Sequence, residues 1–296
     1  MKLRIGTRQS KLAIIQAETV KRKLKSLNSS LDLQIVPIQT TGDKEKNKDL
    51  TKIGGKGLFL KEIQEELLAK NIDIAVHSMK DIPAFTPEGI KLAAVLERED
   101  PRDLFISKNG KGLMEVDSGS IIGTSSPRRR AQIYNLRPDL KIEFFRGNVD
   151  SRLKKVEEGV VDGTLLAMAG LKRLGVYKSD YEVLDPEKII PAVCQGIIGI
   201  EALEENTPAI ELLLKIDHKE THLRAEAERG FLESIEGNCN TPMGAIAELV
   251  GGKLRLRCFL ASEYGTNCFK EEGTAECFRA YELGAEIGKK LLSKMG

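Results

Sequence analysis

The chain has 296 residues, of which 41% are hydrophobic and 30% charged, and its formal net charge at pH 7 is +2. We expect two or three domains at this length, with the composition of an ordinary globular protein. No apolar run approaches the roughly 18 residues that a membrane span needs, and the N-terminal segment turns polar after five residues. We therefore expect a cytoplasmic protein without a membrane segment.

Short β-branched runs alternate with amphipathic helical stretches, a pattern typical of an α/β fold with a largely parallel sheet. In the first part of the chain we predict strands at residues 3–6, 33–38, 72–76 and 92–96. Ser10 stands where a helix N-cap belongs, and apolar residues follow it at helical spacing. A glycine- and lysine-rich loop at 41–57 precedes a helix at 58–70.

Two segments without periodicity, 97–103 and 191–199, are interpreted as crossovers between two lobes. Between them we predict strands at 121–122, 142–145 and 165–167. Such sheets bind ligands at the carboxyl ends of their strands. The sequence therefore predicts a ligand cleft between the lobes.

The C-terminal part has a different pattern. We predict strands at 245–250 and 253–260, joined by a hairpin at Gly251 and Gly252, and a final helix at about 275–294. This indicates a small α+β domain. The predicted division is domain 1 at 1–98 and 195–217, domain 2 at 99–194, and domain 3 at 218–296.

The cysteines are odd in number and form no CxxC pair, so we expect free thiols in a reducing compartment. They are Cys194, Cys239, Cys258, Cys268 and Cys277. Cys258 falls on the apolar face of its predicted strand and is expected in the core. Cys239 lies between turn-forming residues in EGNCNTPMG, which predicts an exposed thiol.

The stretch VHSMKD at 76–81 places Lys80 and Asp81 just past a strand. In a functional interpretation, Asp81 is an acid, a base or a stabiliser of a cation, and Lys80 pairs with an anion. In the alternative, which the local sequence by itself favours, a strand simply ends in polar residues before Pro83.

The stretch GTSSPRRR at 123–130 has a proline at the first position of a predicted helix, with arginines beside it. A helix N-terminus flanked by arginines is an anion site, although a solvated basic helix face is the alternative. FFRGNVDSRL at 144–153 repeats the arrangement with Arg146 and Arg152. Together with Arg8 and Ser10, these residues predict a cleft for a ligand with several negative charges.

Two other kinds of site are not favoured. Single-stranded nucleic acid is usually bound with aromatic platforms, and only 5% of the residues are aromatic, none of them tryptophan. HKETH at 218–222 spaces two histidines for zinc but lacks the HExxH glutamate. We therefore expect neither nucleic acid nor metal as a partner.

Seven stretches, in order over residues 4–244, closely resemble the porphobilinogen deaminase (hydroxymethylbilane synthase) family. They are RIGTRQSKLA, GGKGLFLKEI, VHSMKD, GTSSPRRR, FRGNVDSRL, PAVCQGIIGIE and GNCNTPMG. The resemblance implies two lobes like type II periplasmic binding proteins and a third domain. It implies a monomeric transferase of tetrapyrrole (haem) biosynthesis that joins four porphobilinogen molecules with loss of four ammonia.

The resemblance also implies a dipyrromethane cofactor, held by a thioether to the cysteine that matches Cys239. It assigns catalysis to Asp81 and Lys80. The residues expected to bind carboxylates of substrate and cofactor are Arg8, Ser10, Ser126, Arg128, Arg129, Arg146, Arg152 and Arg173. Asn238 replaces a glycine common in the family's loop, and we expect the loop to survive because asparagine tolerates left-handed backbone angles.

A non-catalytic protein that binds or senses a carboxylate with the same two lobes is the rival hypothesis. A secreted version would need a signal peptide and a regulator would need a DNA-binding module. Neither version explains Cys239 or Asp81.

Overall fold

The computed structural model describes residues 2–41, 60–238, 240–262 and 265–296. Most of the predicted loop at 41–57, and Cys239 itself, lie outside these residues. The chain divides into two compact units, residues 1–99 with 196–223 and residues 100–195 with 224–296. Among the helices described, none has the length and apolar character to cross a membrane.

The first unit starts with alternating strands and helices, as the periodicity predicts. In chain order they are β1 (Lys2–Arg8), α1 (Lys11–Leu27), β2 (Asp32–Ile38), α2 (Lys61–Leu68), β3 (Ile74–Ser78), a 3₁₀ turn (Met79–Asp81) and β4 (Ile90–Val95). β1 lies between β2 and β3 and is parallel to both. Ser10 caps α1 as predicted, since its hydroxyl accepts the N–H of Ala13.

The chain then builds a second five-stranded sheet in the other unit. Its elements are β5 (Asp103–Ser107), β6 (Ile121–Gly123), α3 (Pro127–Leu136), β7 (Lys141–Glu143), α4 (Val149–Glu157), β8 (Gly163–Ala167), α5 (Met168–Leu174) and β9 (Glu182–Val183). The strand order is β7-β6-β8-β5-β9. β6 is parallel to β7 and β8, whereas β5 is antiparallel to β8 and β9. The strand predicted at 142–145 ends at Glu143, so Phe144 is exposed.

The chain returns to the first unit with a strand that was not predicted and whose first two residues fall in the predicted crossover at 191–199. The next elements are β10 (Ile198–Leu203), α6 (Thr207–Leu214) and α7 (Lys219–Ser234). β10 is inserted antiparallel between β3 and β4, which gives the order β2-β1-β3-β10-β4. The expectation of a largely parallel sheet is confirmed for both units, because four of the five strands in each sheet run in one direction. The reversed strand is β10 in the first unit and β5 in the second.

The C-terminal part forms a three-stranded antiparallel sheet with one helix. It consists of β11 (Met243–Val250), β12 (Lys253–Ala261), β13 (Cys268–Ala275) and α8 (Ala280–Met295). The predicted hairpin is confirmed, with φ of 58° at Gly251 and 80° at Gly252. The predicted helix begins later than expected, because β13 occupies the residues before it. Cys258 is fully buried, as predicted.

This small sheet packs on the second lobe. Ile246 and Phe259 of the sheet share an apolar cluster with Ala131 of α3 and with Ile190. The fold is thus α/β, with two lobes and a small C-terminal α+β domain, as predicted. The predicted domain boundaries stay a prediction, because the C-terminal sheet and the second lobe lie in one compact unit.

Candidate active site

In the first unit, a 3₁₀ turn presents Lys80 and Asp81 to solvent. Met79 begins the turn and is buried, and its N–H donates to the carbonyl of Ile197 at 3.0 Å. The N–H of Ile82 closes the turn on the Met79 carbonyl at 3.0 Å. The side chains of Lys80 and Asp81 are exposed, so two polar groups project from a backbone that is fixed on either side.

Arg8 and Ser10 lie at the same edge of this sheet as the turn. Arg8 is the last residue of β1 and is half-buried, and Ser10 begins α1. Because β1 and β3 are parallel neighbours, their carboxyl ends meet at one edge. The fold therefore brings Arg8, Ser10, Lys80 and Asp81 to one sheet edge, although they come from two separate stretches of sequence.

In the second unit, the carboxyl ends of the parallel strands carry most of the predicted arginines. Ser126 caps α3, its hydroxyl accepting the N–H of Arg129 at 3.4 Å, and Pro127 is the first helical residue, as predicted for the proline. Arg146 and Arg152 follow β7 in the same way. Arg173 lies in the last turn of α5, at the end of that helix away from the strand.

Arg128 and Arg129 form a buried ion cluster with Asp103, a residue for which sequence analysis assigned no role. The Asp103 carboxylate is fully buried and accepts Arg128 Nη2 at 2.7 Å and Arg129 Nη2 at 2.8 Å. Gln195 Nε2 also donates to it at 2.9 Å. The other terminal nitrogens of Arg128 and Arg129 donate to the carbonyls of Ile190 and Leu165. The two guanidinium groups are thus held in fixed orientations.

The cluster shifts the pKa values of its own members. Burial by itself raises the pKa of Asp103, but Arg128 and Arg129 outweigh burial and hold that pKa well below its ordinary value. Burial, partly opposed by Asp103, lowers the pKa of Arg128. Two buried guanidinium groups share a single carboxylate, so the cluster has an excess of positive charge.

Arg152 adds to that excess. Burial, followed by repulsion from Arg129 and Arg146, lowers the pKa of Arg152 to about 10. Its Nε donates to the carbonyl of Gly147 at 2.9 Å, and no acidic side chain pairs with it in the described part of the chain. An anion placed here would relieve the repulsion, which makes this edge of the second lobe a candidate anion site.

The cysteines differ in accessibility. Cys194 is 1% exposed, with φ of 57°, and its N–H donates to Glu228 Oε2 at 2.5 Å. Cys258 is fully buried, and burial raises its pKa well above the ordinary value. Cys268 and Cys277 are half-buried, and burial raises the pKa of Cys268.

Asn238 stabilises the loop around Cys239 in a different way from the one expected. Its backbone does not have a positive φ; Glu236 does, at 48°. Instead, Asn238 Oδ1 accepts the N–H of Asn240 at 2.9 Å, and the Asn238 N–H donates to Thr241 Oγ1 at 3.1 Å. Hydrogen bonds of Asn238, and not a left-handed backbone angle, therefore account for its place in the loop.

The two histidines of HKETH have separate partners. His222 Nδ1 lies 2.9 Å from Asp217 Oδ1, and His218 Nδ1 lies 2.9 Å from Thr221 Oγ1. Both contacts are at the start of α7. They account for the motif as part of a helix N-terminus.

Sequence reasoning missed Asp103 and Gln195, which organise the arginines. Asp103 ends the charged stretch EREDPRD, and Gln195 lies in the other predicted crossover. The sequence offered one indication: Asp103 and Gln195 both lie next to predicted domain boundaries. Nothing in their spacing indicates that they meet, because 92 positions separate them.

Fold and side chains together define a class: a protein with two α/β lobes, one of which carries a buried arginine cluster suited to an anionic ligand. Comparison with known proteins identifies the family. The model of the porphobilinogen deaminase dipyrromethane cofactor-binding domain matches residues 3–211, and that of the porphobilinogen deaminase C-terminal domain matches residues 222–293. The chain belongs to the porphobilinogen deaminase family, and is thus by family a transferase.

Relatives match along nearly the whole chain. The porphobilinogen deaminase of Syntrophobacter fumaroxidans is 43% identical over 98% of this chain and 94% of its own length. That of Syntrophomonas wolfei subsp. wolfei is 45% identical over 99% and 96%. A probable amino-acid-binding protein of a Bacillus subtilis ABC transporter overlaps with a TM-score of 0.43 at 10% identity, over 73% of this chain and 90% of that one.

Proposed function

We propose that this chain catalyses the reaction for which its family is named. Four porphobilinogen molecules are joined head to tail with loss of four ammonia, and water releases hydroxymethylbilane. The observation that carries this proposal is the buried arginine cluster with its excess of positive charge. Each pyrrole of substrate and product has an acetate and a propionate, so a growing chain accumulates the charge that such a cluster attracts.

The dipyrromethane cofactor of the family fits these residues, because its carboxylates match a donor set of guanidinium groups and a helix N-terminus. We assign Ser126, Arg128, Arg129, Arg146 and Arg152 to its carboxylates and to those of the substrate. Ser126 lies at the N-terminus of α3, where the helix dipole favours an anion, and its hydroxyl accepts the N–H of Arg129. Arg8, Ser10 and Arg173 are assigned to the same role. When bound, the cofactor supplies the primer to which the first substrate is joined.

The internal contacts of Arg128 and Arg129 refine their role. Each already donates to Asp103 and to a backbone carbonyl. These two arginines therefore act on an anion through their charge and remaining N–H groups, without swinging to meet it. Arg152 is the guanidinium whose charge is least compensated, so it is assigned the strongest direct contact.

Asp81 is assigned the chemical step. Loss of ammonia from an aminomethylpyrrole leaves a cation that is delocalised onto the ring nitrogen. A carboxylate that accepts the pyrrole N–H stabilises that cation as it develops. The exposed Asp81 side chain can approach a substrate, and Lys80 beside it supplies a cation for a substrate carboxylate.

Cys239 is assigned as the attachment site of the cofactor. A thioether needs an accessible thiol, and Cys194 and Cys258 are buried. Cys239 is outside the described residues, so the assignment rests on its position in GNCNTPMG and on the burial of these two alternatives. The runner-up hypothesis, a non-catalytic carboxylate-binding protein, has no support from the family comparison.

The test is the intact mass of the purified protein beside that of Cys239→Ser, with Cys194→Ser as the matched control. We expect the wild type and Cys194→Ser to carry the added mass of two linked pyrroles and to consume porphobilinogen. Cys239→Ser should carry no added mass. A wild-type protein at its bare polypeptide mass, even after incubation with porphobilinogen, contradicts the proposal and favours the carboxylate-binding alternative.

The proposal includes three further properties of the protein. We infer a monomer, a cytoplasmic location and the three domains 1–98 with 195–217, 99–194 and 218–296. Light scattering after size-exclusion chromatography tests the monomer: a mass of two chains contradicts it.

A further inference from the structure

A fully buried carboxylate in the first unit has no place in the roles assigned so far. Glu201 of β10 is 0% exposed, and its two oxygens accept Gln64 Nε2 at 3.2 and 3.1 Å. His77 of β3 is 4% exposed, and its Nε2 lies 3.1 Å from Glu201 Oε2. The His77 nitrogen is close enough to form an ion pair but is not aligned for a hydrogen bond.

The sheet register explains how these two residues meet. β3 and β10 are antiparallel, with His77 opposite Gly199 and Glu201 opposite Ala75. Glu201 and His77 are therefore diagonal neighbours on one face of the sheet. Gln64 reaches them from α2, which covers that face.

The surroundings make this an expensive place for a carboxylate. α2 packs on the sheet through Ile63 and Leu67, which share an apolar cluster with Ala75. Burying a charged or polar group among such side chains costs several kcal/mol unless it is paired. A leucine at position 201 would avoid that penalty, so the carboxylate needs an explanation other than stability.

The position of His77 along the chain supplies the explanation. His77 and Ser78 directly precede the turn at Met79–Asp81, which carries Lys80 and Asp81. His77 Nε2 lies within 3.1 Å of the Glu201 carboxylate on one face of the sheet, and Ser78 Oγ accepts Gln16 Nε2 from α1 at 2.7 Å. The Met79 N–H donates to Ile197. Three consecutive residues before Lys80 are thus in contact with β10, with α1 and with Ile197, which directly precedes β10.

We propose that Glu201 and His77 form a buried positioning pair that fixes the turn carrying Asp81, and that turnover depends on the pair. The inference rests on the proposed role of Asp81. The exposed Asp81 side chain has no packing of its own to fix it, so its location is set by the backbone below. Small displacements of a catalytic group are costly: about 1 Å can reduce the rate by about 100-fold.

A second carboxylate–histidine pair in the same unit serves as a matched control. Asp217 Oδ1 lies 2.9 Å from His222 Nδ1, and the Asp217 side chain is 1% exposed. Asp217 also accepts the N–H of Val95 at 2.9 Å. This pair has the same chemistry, lies at the start of α7, and bonds to the backbone of β4 at Val95.

The experiment compares Glu201→Gln, His77→Asn, their double variant, Asp217→Asn and Asp81→Asn. Cofactor loading by intact mass and the thermal unfolding midpoint establish that each protein is folded. We expect Glu201→Gln and His77→Asn each to lower kcat by about tenfold while KM for porphobilinogen stays within about twofold. The double variant should be no slower than the slower single variant, since both changes break one unit. Asp217→Asn should keep kcat within about twofold even if its unfolding midpoint falls.

Two results would overturn the positioning pair: a loaded Glu201→Gln protein with wild-type kcat, or losses that multiply in the double variant. If Glu201→Gln does not fold, Gln64→Met removes the amide while leaving the carboxylate, and should lower kcat about threefold at unchanged KM. Wild-type kcat in that variant also overturns the inference. Asp81→Asn distinguishes failure of the positioning pair from failure of the proposed role of Asp81. Full activity of Asp81→Asn shows that the proposed role of Asp81 is wrong. An inactive Asp81→Asn, together with fully active Glu201→Gln and His77→Asn, shows that only the positioning pair is wrong.

Discussion

The carboxyl edges of the two lobes hold their candidate site residues in opposite ways. In the first unit, Lys80 and Asp81 are exposed side chains on a backbone that strand β3, helix α1 and Ile197 keep in place. In the second unit, Arg128 and Arg129 are buried, and Asp103 fixes the guanidinium groups themselves.

Because of this difference, substitutions at the two edges should affect different properties: the reaction at the first edge and folding at the second. An exposed group on a fixed backbone can be changed without disturbing the packing, so its substitution reports on the reaction. A buried ion cluster cannot be changed in that way, because removal of one partner leaves the other charges uncompensated in the interior. We therefore expect substitutions at the first edge to lower kcat, and substitutions at the second edge to weaken both ligand binding and the stability of the fold.

The largest expected effect is that of Asp81→Asn. Removing the carboxylate takes away the group that stabilises the developing cation, and we expect kcat to fall by about 100-fold or more. The thermal unfolding midpoint should not change, because the side chain is exposed. Asp32→Asn, at another exposed aspartate of this unit, is the control and should have wild-type kcat. A large loss of unfolding midpoint in Asp81→Asn contradicts the separation between the two edges.

The next effect is on folding. Asp103→Asn leaves Arg128 and Arg129 buried without a counter-charge, and we expect the free energy of unfolding to fall by about 3–5 kcal/mol. Urea denaturation followed by circular dichroism measures it. Asp139→Asn removes a carboxylate that pairs with Arg137 at the surface and should lose much less. Equal losses of unfolding free energy in Asp103→Asn and Asp139→Asn would show that the buried cluster stabilises the protein no more than a surface ion pair does.

The pH dependence of stability tests the same cluster without relying on a single pH. The pKa of Asp103 is lower in the folded chain than in the unfolded one. Its stabilising contribution is therefore complete above the unfolded pKa, near 4, and is lost as the pH falls through the folded pKa. Between pH 5 and pH 3 we expect the wild type to lose more unfolding free energy than Asp103→Asn, by roughly 1 kcal/mol. Parallel pH profiles of the two proteins would contradict this assignment.

The smallest expected effect has the opposite sign. Burial and neighbouring positive charges lower the pKa of Arg152, so Arg152→Gln should leave the stability of cofactor-free protein unchanged or raise it by up to about 1 kcal/mol. The comparison is made in the Cys239→Ser background by thermal unfolding. Arg137→Gln is the control, because pairing with Asp139 raises the pKa of Arg137 and its removal should lower stability. A clear loss of stability in Arg152→Gln would show that its charge is already compensated.

Local signals predicted much of the candidate site. Ser10 is predicted as an N-cap because a hydroxyl before an apolar-periodic helix satisfies its free N–H groups, and Pro127 is predicted as a first helical residue; the structure confirms both. The exposed pair Lys80 and Asp81 was found because polar residues directly follow an apolar strand. The glycine pair at Gly251 and Gly252 predicted the hairpin because two residues at positive φ match the twist of antiparallel strands.

The elements that were missed have weak local patterns. β13 has the sequence CFKEEGTA, in which charged residues and a glycine hide the alternation. β10 is buried along its whole length, and its apolar run has no period that distinguishes a strand from a connector. Its antiparallel insertion follows from the return of the chain to the first unit, which no local window contains.

The sequence by itself determined where most strands of each lobe lie, that α1 begins with a cap, and that arginines gather near the ends of the second set of strands. Only the tertiary structure decided that two of those arginines form ion pairs with Asp103 and that His77 lies beside Glu201. The physical reason is distance along the chain: Arg128 and Asp103 are 25 positions apart, Gln195 and Asp103 are 92 apart, and Gln64 and Glu201 are 137 apart. Periodicity and capping report on neighbours within a few residues, whereas a buried charge is paired by whatever the fold brings beside it.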